Sequence, residues 1–172
     1  MDYDKDDGKV LLISRYLMQL SKNYDEGYGL RYNDKEIDIT WENCSLRSRL
    51  NSDFYNKAFS NSERKLINKS LIINEDNDEY ATAGGNGTED YVFLLSLSEV
   101  DKYFEAEKRL DDAISRICSH KDGYVEEWWL RSPGDSGRDA AYVDGHGHIS
   151  AFGSYVTSLY GVRPALWLNL NP

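Results

Sequence analysis

Two histidines offer the most direct chemistry in this sequence, since His146 and His148 flank Gly147. On an extended strand, residues two apart share one face, as a pair of metal ligands would require. Structural zinc prefers four protein ligands, however, and no second pair with ligand spacing accompanies these two. We therefore expect exposed turn histidines, with no metal and no cofactor.

Nucleophilic and acid–base patterns are weaker. Cys44 and Cys118 lie beside apolar segments, which favours two buried free thiols; a single disulfide is the alternative, although small disulfide scaffolds usually carry more cysteines. Glu126 and Glu127 would point to opposite faces of a strand, so they form no catalytic dyad. The chain has no GxSxG sequence, and residues 84–87 (GGNG) lack the lysine of a phosphate-binding loop. We predict that this chain is not an enzyme.

Two arginines and four tryptophans are predicted to have structural roles and not catalytic ones. Arg131 and Arg163 have apolar neighbours, and a buried guanidinium usually binds a carboxylate or loop carbonyls. A ligand-binding role for these arginines is the alternative. The tryptophans are predicted to lie in the core, with one or two lining a groove; they are Trp41, Trp128, Trp129 and Trp167.

Composition limits the partners. The chain has 172 residues, of which 40% are hydrophobic, and a formal net charge of -10. These values predict one globular domain over residues 1–172 and argue against nucleic acid or an anionic membrane as a partner, since both require a basic surface. Acidic clusters at residues 2–7 and 75–79 are interpreted as solvated segments, because the spacing of a calcium loop is absent.

The location of the protein is less constrained. The sequence shows neither an export signal nor an apolar stretch long enough to enter a membrane. We therefore expect no membrane insertion and a cytoplasmic location by default, with a phage particle or a cell surface as alternatives. Whether the chain is a piece of a larger protein stays open.

Hydrophobic periodicity predicts an α+β fold whose helices lie mostly in the first two-thirds. A helix capped by Ser45 and a second one, opened by a capping box of Ser60 with Glu63 and continuing through Leu66 and Ile67, are expected. A third begins at Ser98 and continues through residues 105–117. Residues 74–90 form a long loop, and the predicted strands are Lys9–Tyr16, Leu71–Ile73, Tyr91–Leu97, Trp128–Arg131, Ala140–Val143, a short piece from Ile149 interrupted at Gly153, and Gly161–Leu168.

Five segments, in this order, resemble those of a family of uncharacterised bacterial domains: Asp7–Tyr16, Trp41–Glu63, Val92–Phe104, Trp128–Gly134 (WWLRSPG) and Gly161–Leu170 (GVRPALWLNL). The family is similar to the C-type-lectin-like fold in its formylglycine-generating-enzyme variety. The resemblance implies helices packed on small, irregular antiparallel sheets. It implies no catalysis, because the block from Trp128 onward contains none of the cysteines of those enzymes, and the EPN, QPD and WND tripeptides of sugar-binding lectins are absent.

Binding proteins diversified by retroelements use the same fold class and vary a C-terminal surface rich in Tyr, Ser, Asp, His and Gly. Residues 135–160 resemble that surface, and residues 1–134 and 161–172 would form its frame, with Trp128, Trp129, Arg131, Arg163 and Trp167 as structural residues. The resemblance implies a non-enzymatic module that binds a protein or a carbohydrate. A structural accessory domain and an oxidase are the alternatives. The candidate contact residues are Asp135, Ser136, Arg138, Asp139, Tyr142, Asp144, His146, His148, Ser150, Phe152, Ser154, Tyr155, Thr157, Ser158 and Tyr160.

Overall fold

The computed structural model describes residues 2–4, 8–18, 29–104 and 112–170. It confirms the predicted α+β class, with short helices and small antiparallel sheets. The strands are β1 (Tyr3–Asp4), β2 (Lys9–Ile13), β3 (Ile67–Asn68), β4 (Ser70–Ile72), β5 (Thr88–Asp90), β6 (Trp128–Pro133), β7 (Asp139–Val143), β8 (Ile149–Tyr155) and β9 (Ala165–Asn169). The helices are α1 (Ser45–Arg49), α2 (Tyr55–Ala58), α3 (Asn61–Arg64), α4 (Leu97–Phe104) and α5 (Asp112–Arg116).

One sheet joins the two ends of the described chain. Its order is β1-β2-β9-β3, and β2 pairs with β9 from Lys9↔Asn169 to Ile13↔Ala165. The last strand was predicted to begin at Gly161 and instead begins at Ala165. Pro164 lacks the N–H that a ladder needs, and its carbonyl accepts from the backbone N–H of Ser14.

The first helical region is less regular than predicted. A 3₁₀ turn at Trp41–Asn43 precedes α1, and a π-helical segment, Leu50–Phe54, separates α1 from α2. The cap of α1 is Cys44, whose Sγ accepts from the backbone N–H of Arg47, and not Ser45. Ser45 Oγ instead accepts from the N–H of Asp34, so its side chain is already engaged outside the helix.

The second helical prediction was right at its start and wrong at its end. The capping box of Ser60 and Glu63 is present and opens α3. The helix ends at Arg64, however, and Ile67 lies in β3, where it pairs with Leu168. Ile67 therefore joins a sheet, and Leu66 lies in the turn before it, instead of both forming a helix face.

The apolar segment 91–97 is buried as expected but forms no strand. Phe93 makes a single β-bridge with Ala165, and the Leu95 carbonyl accepts from the backbone N–H of Arg131 on β6. Other backbone groups of the segment bind side chains. Asn51 Oδ1 accepts from the N–H groups of Tyr91 and Val92, and its amide donates to the Val92 carbonyl. The sequence predicted the burial of this segment but not the hydrogen-bond partners of its backbone.

Helix α4 begins earlier than the predicted Ser98. Ser96 Oγ accepts from the N–H of Glu99, and Glu99 Oε2 accepts from the N–H of Ser96, which is the reciprocal pattern of a capping box. The predicted continuation at 105–111 lies outside the described residues, and α5 follows it.

The third sheet, β6-β7-β8, carries the C-terminal block. Its pairing is antiparallel with two register irregularities, one in β6–β7 and one in β7–β8. Two predicted breaks are absent, since β6 includes Pro133 and β8 passes through Gly153. Gly153 has φ of 83°, and a Cβ there would lie 2.7 Å from the Ala140 carbonyl oxygen, so the strand passes close to β7 because this residue has no side chain.

Arg131 on β6 ties three elements together from a buried position, with 4% of its surface exposed. Its guanidinium donates to the carbonyls of Leu94, at 2.8 Å, and Ile73, at 3.0 Å. Both oxygens of Glu99 on α4 bind the same group. A buried guanidinium held by a bidentate carboxylate and two carbonyls fixes β6, α4 and the end of β4 relative to one another.

We predict that Glu99→Ala lowers the free energy of unfolding by about 3 kcal/mol, because it leaves the buried guanidinium of Arg131 without its counter-charge. Urea denaturation would measure the loss. Asp34→Ala is the matched control, since it removes the exposed ion pair with Arg49 and should cost less than about 1 kcal/mol. Equal, small losses in both variants would contradict a structural role for the buried pair.

Candidate functional site

The predicted contact residues all lie on β7, β8 and the loops that flank and join these strands. None of the fifteen is buried: ten are half-buried, and five are exposed. The exposed ones are Arg138, His146, His148, Phe152 and Tyr155. The sheet therefore places all fifteen residues in one region, which extends from the β7–β8 turn to the opposite end of the two strands.

The turn end is organised by Asp144. Its Oδ1 accepts the backbone N–H groups of His146 and His148, both at 2.8 Å. Partial burial works to raise the pKa of Asp144, but these hydrogen bonds and the His148 side chain outweigh it, and the pKa is lowered. The two histidine rings lie 6.2 Å apart and are exposed. Across the described ranges, no three His, Cys, Asp or Glu side chains are grouped as a metal ion would require.

The opposite end is acidic. Ser136 Oγ donates to Asp139 at 2.5 Å, and Arg138 pairs with Asp38 at 3.2 Å. Desolvation raises the pKa of Asp139; the Ser136 hydrogen bond opposes this, while the nearby Asp135 carboxyl raises it further. Neighbouring carboxyl groups thus disfavour a second negative charge at this end.

A ladder of aromatic rings connects the core to the middle of the face. Trp41 is 6.1 Å from Tyr32, which is 5.8 Å from Trp129. Trp129 is 4.5 Å from Tyr160, which is 4.8 Å from Tyr142. The rings of Trp41, Tyr32 and Trp129 are buried, and those of Tyr160 and Tyr142 are half-buried. Packing in the core therefore positions the two tyrosine rings of the candidate surface.

The frame residues have structural partners. Arg163 donates to the Ser14 carbonyl at 3.0 Å, and its guanidinium lies 5.1 Å from the ring centroids of Trp128 and Phe104. Burial lowers the pKa of Arg163. Trp128 and Trp129 are fully buried, while Trp167 is half-buried.

The loop predicted over residues 74–90 ends before Thr88–Asp90, which form β5 and pair with β4. Sequence reasoning also missed the contribution of the 74–87 loop. Asn77 is 2% exposed, and its amide donates to the carbonyls of Pro133, Gly134 and Ala151, at 2.9, 3.2 and 2.8 Å. Tyr80 meets Phe152 edge-to-face, with ring centroids 5.8 Å apart. The four acidic residues of the run, Glu75, Asp76, Asp78 and Glu79, are exposed, which agrees with the predicted solvated segment. The run is nevertheless anchored beside the candidate face, because Asn77 binds carbonyls of β6 and β8. Nothing in the sequence distinguishes Asn77 from its polar neighbours.

Both thiols are buried and free. Desolvation raises the pKa of Cys44 to about 12 and also raises that of Cys118. Thiol chemistry uses the thiolate, and both environments disfavour it.

We predict that Asn77→Ala lowers the free energy of unfolding by about 2 kcal/mol, because it leaves three carbonyls without their donor. It should also speed amide exchange at Asp135, whose N–H donates to the Phe152 carbonyl. Asn56→Ala is the control: its amide donates to the Ser52 carbonyl and its Oδ1 accepts from Arg64, both on an exposed surface, and the loss should stay below about 1 kcal/mol. Unchanged exchange at Asp135 in Asn77→Ala would show that the loop does not brace the face.

The raised pKa of Asp139 gives a pH dependence with a definite sign. In the window between the ordinary aspartate pKa and the raised one, the folded chain holds a proton that the unfolded chain has lost, so stability falls as pH rises through that window. Asp139→Asn removes this component. Urea titrations at several pH values should show the wild type losing stability relative to the variant as pH rises, and a relative gain would contradict the raised pKa.

No helix in the described ranges is both long and apolar enough to span a bilayer.

Comparison with known proteins places the chain in a family. Neither the curated proteins nor the solved structures include a match to this chain. A family model described as a domain of unknown function (DUF6273) matches residues 7–170, which agrees with the predicted membership in an uncharacterised domain family. The chain therefore belongs to the DUF6273 family.

Proposed function

We propose that this chain is a non-catalytic binding module and that residues 135–160, called here the binding face, contact a protein or carbohydrate ligand. The observation that carries the proposal is the exposure of Phe152 (57%) and Tyr155 (61%) on β8. Large aromatic side chains contribute strongly to interfaces when a partner buries them. Placed singly on a surface, such residues would carry no functional meaning, so their setting matters.

That setting is a rigid support. Strand β8 pairs with β7, which pairs with β6, and β6 contains two fully buried tryptophans and the buried Arg131. The Phe152 carbonyl accepts from the N–H of Asp135, which holds the strand at one of its two exposed aromatic residues. A partner that binds here would not have to order the backbone first, and this lowers the entropic cost of association.

The chemistry of the face suits recognition. Tyrosine and phenylalanine act as anchors, while serine, aspartate and histidine beside them adapt their hydrogen bonds to different partners. We include in the proposal that the fold is of the C-type-lectin-like kind and that the face belongs to the class that retroelements diversify. The motif order and the composition of residues 135–160 support both.

Two observations favour binding over the oxidase alternative. The buried thiols have raised pKa values, which disfavours the reactive thiolate. The carboxylates of the face are engaged in turns, as Asp144 is, or lie beside other carboxylates, as Asp139 does. The backbone hydrogen bonds of Asp144 stabilise a turn, and the exposed aromatic side chains of the face are Phe152 and Tyr155.

Phe152→Ser with Tyr155→Ser tests the proposal. The purified chain would be immobilised and used to select binders from a phage-displayed peptide library and from a glycan array. We expect specific binders, with affinity for the double variant reduced about thirtyfold, because two anchors worth ~2 kcal/mol together are removed. Both side chains are exposed, so the unfolding free energy should change by less than about 0.5 kcal/mol.

Leu71→Ser with Ile73→Ser provides the matched control, since these side chains are 66% and 59% exposed but belong to or follow β4 in another sheet. The control should retain every binder. If no binder is selected, or if binders survive the loss of Phe152 and Tyr155, the binding face is wrong. In that case, the accessory-domain alternative is favoured.

A further inference from the structure

A groove of about 790 Å³ runs between the 74–87 loop, the start of α4 and β8. Its size lies in the range of ligand pockets, which is about 300–1,000 Å³. Ala151 and Ile149 supply its β8 wall, and Ser98 and Ser132 contribute hydroxyl groups. Five carboxylate residues also line it, namely Glu75, Asp76, Asp78, Glu79 and Asp101.

The groove borders the exposed aromatic residues of the binding face. Glu79 and Ala151, which line the groove, are the chain neighbours of Tyr80 and Phe152, whose rings meet edge-to-face. Tyr80 is itself 37% exposed. The aromatic pair and the acidic groove therefore occupy one continuous region, held together by the bonds from Asn77 to the carbonyls of Pro133, Gly134 and Ala151.

The charged side chains that line this region are all carboxylates. A hydrogen bond with Glu79 raises the pKa of Tyr80, and the charges of Glu79 and Asp135 raise it further. Among the residues that the structure describes, no lysine or arginine lines the groove. A cation beside an aromatic face and several carboxylates gains from both, since the ring face and the carboxylates attract positive charge.

We infer that the occupant of this region is a basic, extended segment of a partner protein, whose lysine or arginine side chains enter the acidic groove and lay their aliphatic stems on Tyr80 and Phe152. This inference rests on the proposed binding function and identifies the partner by its charge. Lysine and arginine suit the region because their stems are apolar and their ends are cationic.

Charge complementarity decides between possible occupants. A second copy of this chain would bring its own net charge of -10, which disfavours self-association at this face. A neutral sugar would use the rings and hydroxyl groups and would leave the carboxylates without counter-charges. A basic segment satisfies both parts of the region.

Two pools of short synthetic peptides test the inference directly. The pools would share the same apolar and serine positions and differ in carrying lysine in one and glutamate in the other. At about 0.15 M salt, where distant charges are largely screened, we expect the immobilised chain to retain the lysine pool at least about tenfold better. Equal retention of the two pools would overturn the inference.

A matched pair of charge variants separates the groove from net charge. Asp78→Asn with Glu79→Gln removes two negative charges from the groove, and Asp53→Asn with Glu89→Gln removes two from exposed positions elsewhere. We expect the first variant to retain the lysine pool about tenfold less well than the second, because two close ion pairs each contribute modestly. Equal losses in both would show that the peptides follow net charge alone and would overturn the inference.

The two proposals fail in different ways. If Phe152→Ser with Tyr155→Ser abolishes selected binders while the groove variant changes nothing, the binding face stands and the basic partner is wrong. If the lysine pool depends on the groove but not on Phe152 or Tyr155, the groove binds cations and the binding face is wrong.

Discussion

The architecture depends on one buried cation. Arg131 lies on β6, in which all six residues are buried, and its guanidinium is held by Glu99 and by the carbonyls of Leu94 and Ile73. Each partner comes from a different part of the chain, so one side chain sets the positions of a helix, an irregular buried segment and the end of a strand. Removing a guanidinium from water is costly. The cost is offset because both terminal nitrogens of Arg131 donate to acceptors at once.

From that point the structure extends outward in two directions. Tyr32 donates to the Arg131 carbonyl and begins the ring contacts that pass through Trp129 to Tyr160 and Tyr142. On the other side, Asn77 attaches the acidic loop to the carbonyls around Gly134. The binding face and the groove are thus supported by the same sheet. A loop whose acidic run was predicted only to be solvated forms one wall of the proposed contact region.

The sequence predicted what depends on local chemistry. The capping box at Ser60, the α+β class and the burial of residues 91–97 all follow from spacing and residue type. It failed where a hydrogen bond from a residue distant in the sequence determines the local structure. Segment 91–97 looks like a strand, but Asn51 and Arg131 take its backbone groups. The position of the 74–87 loop depends on the amide of Asn77, and no local pattern indicates which carbonyls that amide will reach.

Hydrogen exchange of the free and peptide-bound chain tests the central claim most directly, namely that a rigid frame presents a contact surface formed by the binding face and the acidic loop. With the best-retained lysine-bearing peptide bound, the account predicts new protection in residues 76–80 and 149–155. It also predicts unchanged, slow exchange in β2 and β9, whose paired backbones lie in a different sheet. Protection that appears in β2, β9 or β4 while β8 is unaffected would contradict the account.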